Sequence, residues 1–222
     1  MIVTEHEQGS KQWLKAREGV FSASRLKPLM SKGGKQSRAE GAKTLIVEII
    51  GEIITGGPLD EASGDWLERG QDMEREARNF LEMKLNADVE EVGFCIMDDG
   101  GPLHGRVGAS PDGMANTDKL RLVEFKCPSA KMHLKYLLNP KLLEQAYAHQ
   151  THTGMMVTGT TECHLVSYCP GLPTVHTVVV LDEDYLTQLK SVLGWAIEQV
   201  DDGVAKIKEL LAVDVNPLNP FS

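Results

Sequence analysis

The chain has 222 residues, 41% of them hydrophobic and 25% charged, which are ordinary globular proportions and enough for a core of domain size. Its formal net charge of −9 argues against a protein that coats nucleic acid non-specifically, because such binding rests on clustered lysine and arginine; it leaves room for a DNA enzyme whose acidic residues hold metal behind a local basic lining, so charge alone does not decide. No apolar run approaches the roughly 20 residues of a membrane span, and MIVTEHEQGSK is acidic where an export signal is basic and then apolar, so an unexported protein with no membrane partner is expected.

The first predicted element is a short helix in GSKQWLKAREG, carrying Trp13 and Arg17. SASRLKPLM then starts with a serine cap and turns helical. After the Gly/Lys-rich SKGGKQS, a helix runs through RAEGAKTLIVEIIGEIIT until GGPLD breaks it, and a long helix spans about Ser63 to Leu85. Three strand-like runs follow: DVEEVGFCIMD, RVGASPDGMA and KLRLVEFKC. Asn139 before Pro140 is an N-cap with proline at the first helical position, opening a helix to about Thr153. TECHLVSYC and TVHTVVVL read as strands, Asp182 opens a last helix to about Leu211, and 212–222 is expected to be an irregular, proline-containing tail. The order predicts an α/β fold, a central mixed β-sheet flanked by helices, in a single domain over 1–222. Cys95, Cys127, Cys163 and Cys169 form no C-x-x-C pair and read as buried, reduced thiols. A zinc site from His149 and His152 with Cys163 or His164 matches no standard ligand spacing.

NTDK is a turn signal between two of the strand-like runs. A hairpin centred on Asp118 sets Asp112 directly opposite Glu124, where like charges about 5 Å apart repel, and strand alternation puts Lys126 on the same face. A divalent cation would relieve that repulsion, and Mg²⁺ or Mn²⁺ prefers such carboxylate oxygens. A solvated ion-pair cluster is the alternative for this spacing taken alone. On the long helix, at about 100° per residue, Trp66, Leu67, Gly70, Met73, Ala77, Phe80, Leu81 and Leu85 gather on one arc. Glu74 falls inside it, so it pairs with a buried arginine or joins the hairpin acids at a metal. Gln150 lies one turn after Ala146 and Tyr147 on an inward stripe, either as a satisfied core amide or as a group positioning water or phosphate.

Together these residues resemble the PD-(D/E)xK nuclease superfamily, and within it the phage lambda exonuclease family of viral recombinase type. WLKAREGVFSAS resembles its N-terminal W-x-x-x-R-x-G-x-x-x-A-S element, RGQDMEREA its G-x-x-x-E helix, SPDG with EFK its catalytic hairpin, and YAHQTHTGM its Y-x-x-Q-x-Q helix. The resemblance implies a restriction-endonuclease-like core and a Mg²⁺-dependent 5′-to-3′ exonuclease, with Mn²⁺ able to substitute. The enzyme would work processively on double-stranded DNA ends and leave 3′ single-stranded tails. Asp112 and Glu124 would be metal ligands, the Phe125 carbonyl would add an oxygen, and Glu74 would bind or neighbour a metal. Lys126 would act on the attacking water and Gln150 would support the site.

Arg17 and Ser24 match the family's pocket for the DNA 5′-phosphate, whereas on residues alone Arg17 reads as a surface ion pair with Glu18 or Glu5. His152 stands where a second glutamine is frequent and can still reach a phosphate or a metal-bound water. A homotrimeric ring around DNA, a single-strand annealing protein as partner and a bacterial cytoplasm, the chain being phage- or prophage-encoded, are further implications. Lys32, Lys35, Arg38, Lys131 and Lys135 would line the channel. An iron–sulfur nuclease of the superfamily would need cysteines bracketing the core, which these four do not do. A DNA-end-binding module with a vestigial site would not need Asp112, Glu124 and Lys126 all present.

Overall fold

Pro111 marks where this chain passes from the smaller sheet to the larger one after β5. The structure is a computed structural model describing residues 1–6, 8–30, 40–57 and 65–214, the side chains of 65–72 and 213–214 excepted. In chain order the elements are β1 (Ile2–Val3), α1 (Lys11–Ala16), β2 (Phe21–Ser22), α2 (Glu40–Thr55), α3 (Asp65–Leu85), β3 (Val89–Glu90), β4 (Cys95–Ile96), β5 (Val107–Ala109), β6 (Gly113–Asn116), β7 (Leu120–Lys126), α4 (Ala130–Leu138), α5 (Lys141–Thr158), β8 (Glu162–Ser167), β9 (Val175–Val180) and α6 (Glu183–Asp214). Two 3₁₀ turns, Ala23–Arg25 and Lys27–Leu29, follow β2.

Two of the strand-like runs are each divided between two sheets. A five-stranded mixed sheet has the order β3-β6-β7-β8-β9, and a four-stranded one the order β1-β4-β5-β2. DVEEVGFCIMD splits into β3 and β4 between Glu90 and Cys95, where Gly93 passes so close to the N-terminal segment that an added Cβ would lie 1.7 Å from the Thr4 carbonyl oxygen. RVGASPDGMA splits into β5 and β6 at Ser110–Asp112, since Pro111 has no N–H to continue a ladder. The β6–β7 hairpin has the predicted register, Gly113 opposite Val123 and Asn116 opposite Leu120, and β7 runs parallel to β8 with Glu124 beside Leu165.

Helices cover both faces of the larger sheet. On one, Ala77 and Leu81 of α3 pack on Ala115, Val123, Phe125 and Val166. On the other, Leu143 and Met155 of α5 with Tyr136 of α4 pack on Met114, Leu122, Cys163 and Leu165. Helix α4 was not anticipated: only His133 and Tyr136 of its nine residues are buried, and exposed Leu134 and Leu138 blur its period. A second core joins α2 and α6 to the smaller sheet through Leu45, Ile49, Leu189, Leu193, Phe21 and Val107. Three of the four cysteines are buried and Cys127 half-buried, all free thiols. Helix α5 continues to Thr158 and α6 to Asp214, later than the sequence suggested. No helix among the described residues is long and apolar enough to cross a membrane.

Gly113, the first residue of β6, is packed so tightly that a Cβ would stand 2.3 Å from Val89 Cγ1 and 3.2 Å from the Glu90 carbonyl oxygen. Gly113→Ala is expected to push β3 off the sheet edge and cost about 1–3 kcal/mol, the usual penalty of overpacking. Chemical denaturation against the parent protein measures it.

Candidate active site

The site forms where β6 begins one residue too late to complete its ladder. Strand residues send N–H and C=O to the same edge, alternating along the strand. The Phe125 N–H points to the β6 edge and would pair with residue 111 in the observed register. Pro111 offers no N–H in return, and its carbonyl accepts instead from Gln8 Nε2 at 2.9 Å. The Asp112 carboxylate fills the gap, Oδ2 accepting from Phe125 N at 2.7 Å. The Phe125 carbonyl therefore leaves the strand on the Asp112 side with no ladder donor from Pro111.

Glu124 and Lys126 share the α5 face of β7 with Asp112. Lys126 Nζ lies 2.7 Å from Glu124 Oε2 and 3.7 Å from Asp112 Oδ2, and 5.3 Å from the Tyr147 ring centre. Gln150 Nε2 donates to the same Glu124 oxygen at 2.6 Å. Glu124 is only 1% exposed. Burial raises its pKa; Lys126 lowers it and Asp112 raises it further. Burial also pulls on Lys126, favouring the neutral amine, but Glu124 and Asp112 together prevail and hold it as the ammonium.

Glu74 comes to the cluster from α3, on the other side of the sheet's end. Its pKa is pushed up to about 7, first by burial and then by Asp112, while Lys126 and Arg78 pull it down. A cleft of about 800 Å³ opens beside these acids, with Glu74, Arg75, Arg78 and Asp112 in its wall. Arg78, one turn after Glu74, was not singled out from the sequence. It donates to the Asp112 carbonyl at 2.7 Å and the Val89 carbonyl at 2.6 Å, fixing the backbone from which Asp112 projects. Glutamate-plus-four on one helix face was the available signal.

Among the described residues no three His, Cys, Asp or Glu side chains stand ready-made as a metal cage; the Lys126 ammonium lies between the carboxylates instead. The donor set nonetheless fits a hard divalent cation. The carboxyls of Asp112, Glu124 and Glu74 act on one another's protonation, two of them with raised pKa values, and the Phe125 carbonyl leaves β7 on the Asp112 side.

A second cluster lies on the smaller sheet. Arg17 Nη2 is 3.2 Å from both Ser22 Oγ and Ser24 Oγ, and its guanidinium stacks 4.0 Å from the Trp13 ring centre. Burial first, then Arg25, lower its pKa to about 10. Among the described residues no carboxylate pairs with it, so the ion pair with Glu18 or Glu5 is not formed. β2 and β5 run parallel with Ser22 beside Gly108, and two residues further on come Ser24 and Ser110. The Ser110 hydroxyl is buried without a partner, two residues before Asp112; it was overlooked because serine before proline reads as an ordinary turn.

His152 does not join either cluster. Its Nδ1 bonds the Ala148 carbonyl at 2.8 Å and its ring packs 4.6 Å from that of Tyr185 on α6, because two residues along a helix put it across the axis from Gln150. Cys163 and His164 face opposite sides of the sheet, and His164 bonds His176 at 3.0 Å, so the zinc grouping is not assembled. Lys131 and Lys135 are exposed on α4, whereas Lys32, Lys35 and Arg38 lie outside the described residues.

A mixed sheet between helices, with a hairpin presenting two carboxylates and a lysine at its end, defines a nuclease domain of the restriction-endonuclease-like class. More closely, the YqaJ-like viral recombinase domain matches residues 12–161, and the chain belongs to that family, of lambda exonuclease type. Two crystal structures of LHK-Exo, an alkaline exonuclease from Laribacter hongkongensis, share 26% identity with it and cover 91% of this chain and 98% of theirs. The TM-scores are 0.79 for the complex with dAMP and 0.78 for the other. A phage-related exonuclease from Haemophilus somnus shares the fold at 11% identity, with TM-score 0.63 over 85% of this chain and 96% of its own. No curated protein matches the chain in sequence.

The raised pKa of Glu74 has a stability consequence. A carboxyl whose folded pKa exceeds its unfolded value binds its proton more tightly when folded, so stability falls as pH rises from about 4.5 to about 7. Without divalent cation, Glu74→Gln should match the parent at pH 4 and be more stable at pH 8. The difference is about 1 kcal/mol, discounted because Glu74 is only partly buried. Urea melts at the two pH values measure it.

Proposed function

We propose that the protein is a metal-dependent 5′-to-3′ exonuclease that acts processively on double-stranded DNA ends and leaves 3′ single-stranded tails for recombination. The observation that carries this reading is the meeting of Asp112, Glu124, Lys126 and Gln150 at the end of β7 in a chain of the viral recombinase family. LHK-Exo's complex with dAMP supports it, since a deoxynucleoside monophosphate is what stepwise hydrolysis of DNA releases. Asp112, Glu124, Glu74 and the Phe125 carbonyl would hold Mg²⁺, or Mn²⁺ in its place, supplying charge neutralisation at the scissile phosphate and a more acidic water.

The chain's own groups handle position and protons. Gln150 fixes the Glu124 carboxylate by its 2.6 Å bond, and Phe125 N–H fixes that of Asp112. Lys126 Nζ carries a proton held by the two carboxylates against burial. As an ammonium Nζ has no lone pair, so it would hold the attacking water and the developing phosphate charge by donation. It could accept the water's proton only after giving its own to bulk water, which burial favours once the carboxylates' charge is drawn to a cation. Arg17, whose partners here are hydroxyls, supplies a guanidinium for the terminal 5′-phosphate. A strand gripped at its 5′ end and cut beside that grip is shortened stepwise from that end.

An acidic chain cannot hold duplex DNA by diffuse attraction. A homotrimeric ring around the duplex removes that difficulty, with Lys131, Lys135 and, outside the described residues, Lys32, Lys35 and Arg38 as its basic lining. A single-strand annealing protein would take over the exposed 3′ tail, and the bacterial cytoplasm is where both would work.

End-labelled linear duplex with Mg²⁺ tests the activity. The parent protein should shorten it from the 5′ ends, and Lys126→Ala should reduce turnover by about a thousandfold or more, with end binding retained. A mobility shift with no loss of DNA would instead make the chain an end-binding module.

For the ring, light scattering should give a trimer, and digestion already under way should survive a large excess of competitor DNA. A stable monomer that digests long tracts under competitor would contradict enclosure.

A further inference from the structure

Among the described residues two carboxylates are buried, Glu124 in the cluster above and Glu52 on α2. Glu52 takes no part in the chemistry so far described. It sits against the Arg17 cluster and holds it at two places. Its Oε2 accepts from the Gly19 N–H at 2.9 Å, two residues after Arg17. Its Oε1 lies 2.9 Å from Nη1 of Arg25, the residue after Ser24. Nη2 of Arg25 is taken by Glu48 at 3.1 Å.

The elements that carry Arg17, Ser22 and Ser24 are a six-residue helix, a two-residue strand and a 3₁₀ turn, too short to be rigid alone. Helix α2 is rigid, with Leu45 and Ile49 in the core it shares with α6. Gly19 presses the loop onto it at φ +69°, and a Cβ there would stand 2.8 Å from Ile53 Cγ1. Charge matters as much as position. Arg25 opposes the Arg17 guanidinium and Glu52 favours it. With Glu48 and Glu52 both on Arg25, that side chain is neutralised, and among the described residues the hydrogen-bond partners of Arg17 are hydroxyls, which can give way to an incoming anion.

We propose that Glu52 is the positioning residue of the terminal-phosphate pocket, fixing Arg17 and Ser24 from α2 and neutralising Arg25 so that the pocket distinguishes a phosphorylated 5′ end from a hydroxyl one. The inference rests on the reading of Arg17 as that pocket's anchor.

Fluorescence anisotropy with the full chain in EDTA, using blunt duplexes that carry a 5′-phosphate or a 5′-hydroxyl, separates the two ideas. The parent chain should bind the phosphorylated duplex about 10- to 100-fold more tightly, as a charge-assisted fork contact allows, and Arg17→Ala should bring the ratio close to one. Glu52→Gln, which keeps the shape without the charge, and Glu52→Ala should each lower the ratio about tenfold, while affinity for the hydroxyl end stays within about twofold of the parent. If the parent shows no preference, the pocket reading falls and this inference with it. If the preference depends on Arg17 but survives both Glu52 substitutions, or if they weaken both duplexes equally, the pocket stands and the role of Glu52 is overturned.

Discussion

The hydrogen bond from Phe125 N–H to the Asp112 carboxylate is the contact on which the rest of the site depends. It exists because Pro111 cannot take its turn in the β6–β7 ladder, so a side chain stands in for backbone. One substitution of partner does two things. It holds the start of β6 back to Gly113, and it locks Asp112 beside Glu124. The same proline lets the chain leave the smaller sheet and enter the larger one, which sets Ser110 and Asp112 at the junction of the two.

A buried cluster of like charges cannot stand on a hairpin alone. Glu124 is held under α5 by Gln150 and Lys126, Asp112 is braced by Arg78 from α3, and Glu74 is drawn into the same field. Helix α3 thus contributes Arg78 and Glu74 to the end of the sheet and α5 contributes Gln150, while each gives an apolar face to the sheet itself. Lys126 is a partial answer to the repulsion, one ammonium against three carboxylates; the pKa values of Glu74 and Glu124 are raised first by burial and then by what remains of that repulsion. That remainder is what a divalent cation would bind to.

In the function proposed for the chain, the two clusters would divide the work of cutting at an end. The carboxylate cluster gathers three acids about one lysine, whereas in the Arg17 cluster the acids sit on Arg25 and, among the described residues, the hydrogen-bond partners of Arg17 are hydroxyls. They sit on different sheets, yet β5 joins them directly: Ser110 follows its last residue, and Asp112 comes two residues later.

Local sequence determined a good deal. Turn chemistry at Asn116–Lys119 set the hairpin register and so the pairing of Asp112 with Glu124, and helical period put Glu74 and Gln150 on inward faces, because both are short-range properties of the backbone. The family resemblance, carried by four short motifs, supplied Arg17 and Ser24, which no period marks. Only the tertiary structure decided the rest. It split two apparent strands between two sheets, where close packing at Gly93 and the missing N–H of Pro111 act on neighbours far away in sequence. It turned His152 toward Tyr185, and it brought in Arg78 and Glu52, whose partners lie 34 and 33 residues away along the chain. An arginine or glutamate on a helix looks alike in sequence whether it faces water or holds a distant loop, and packing between elements chooses which.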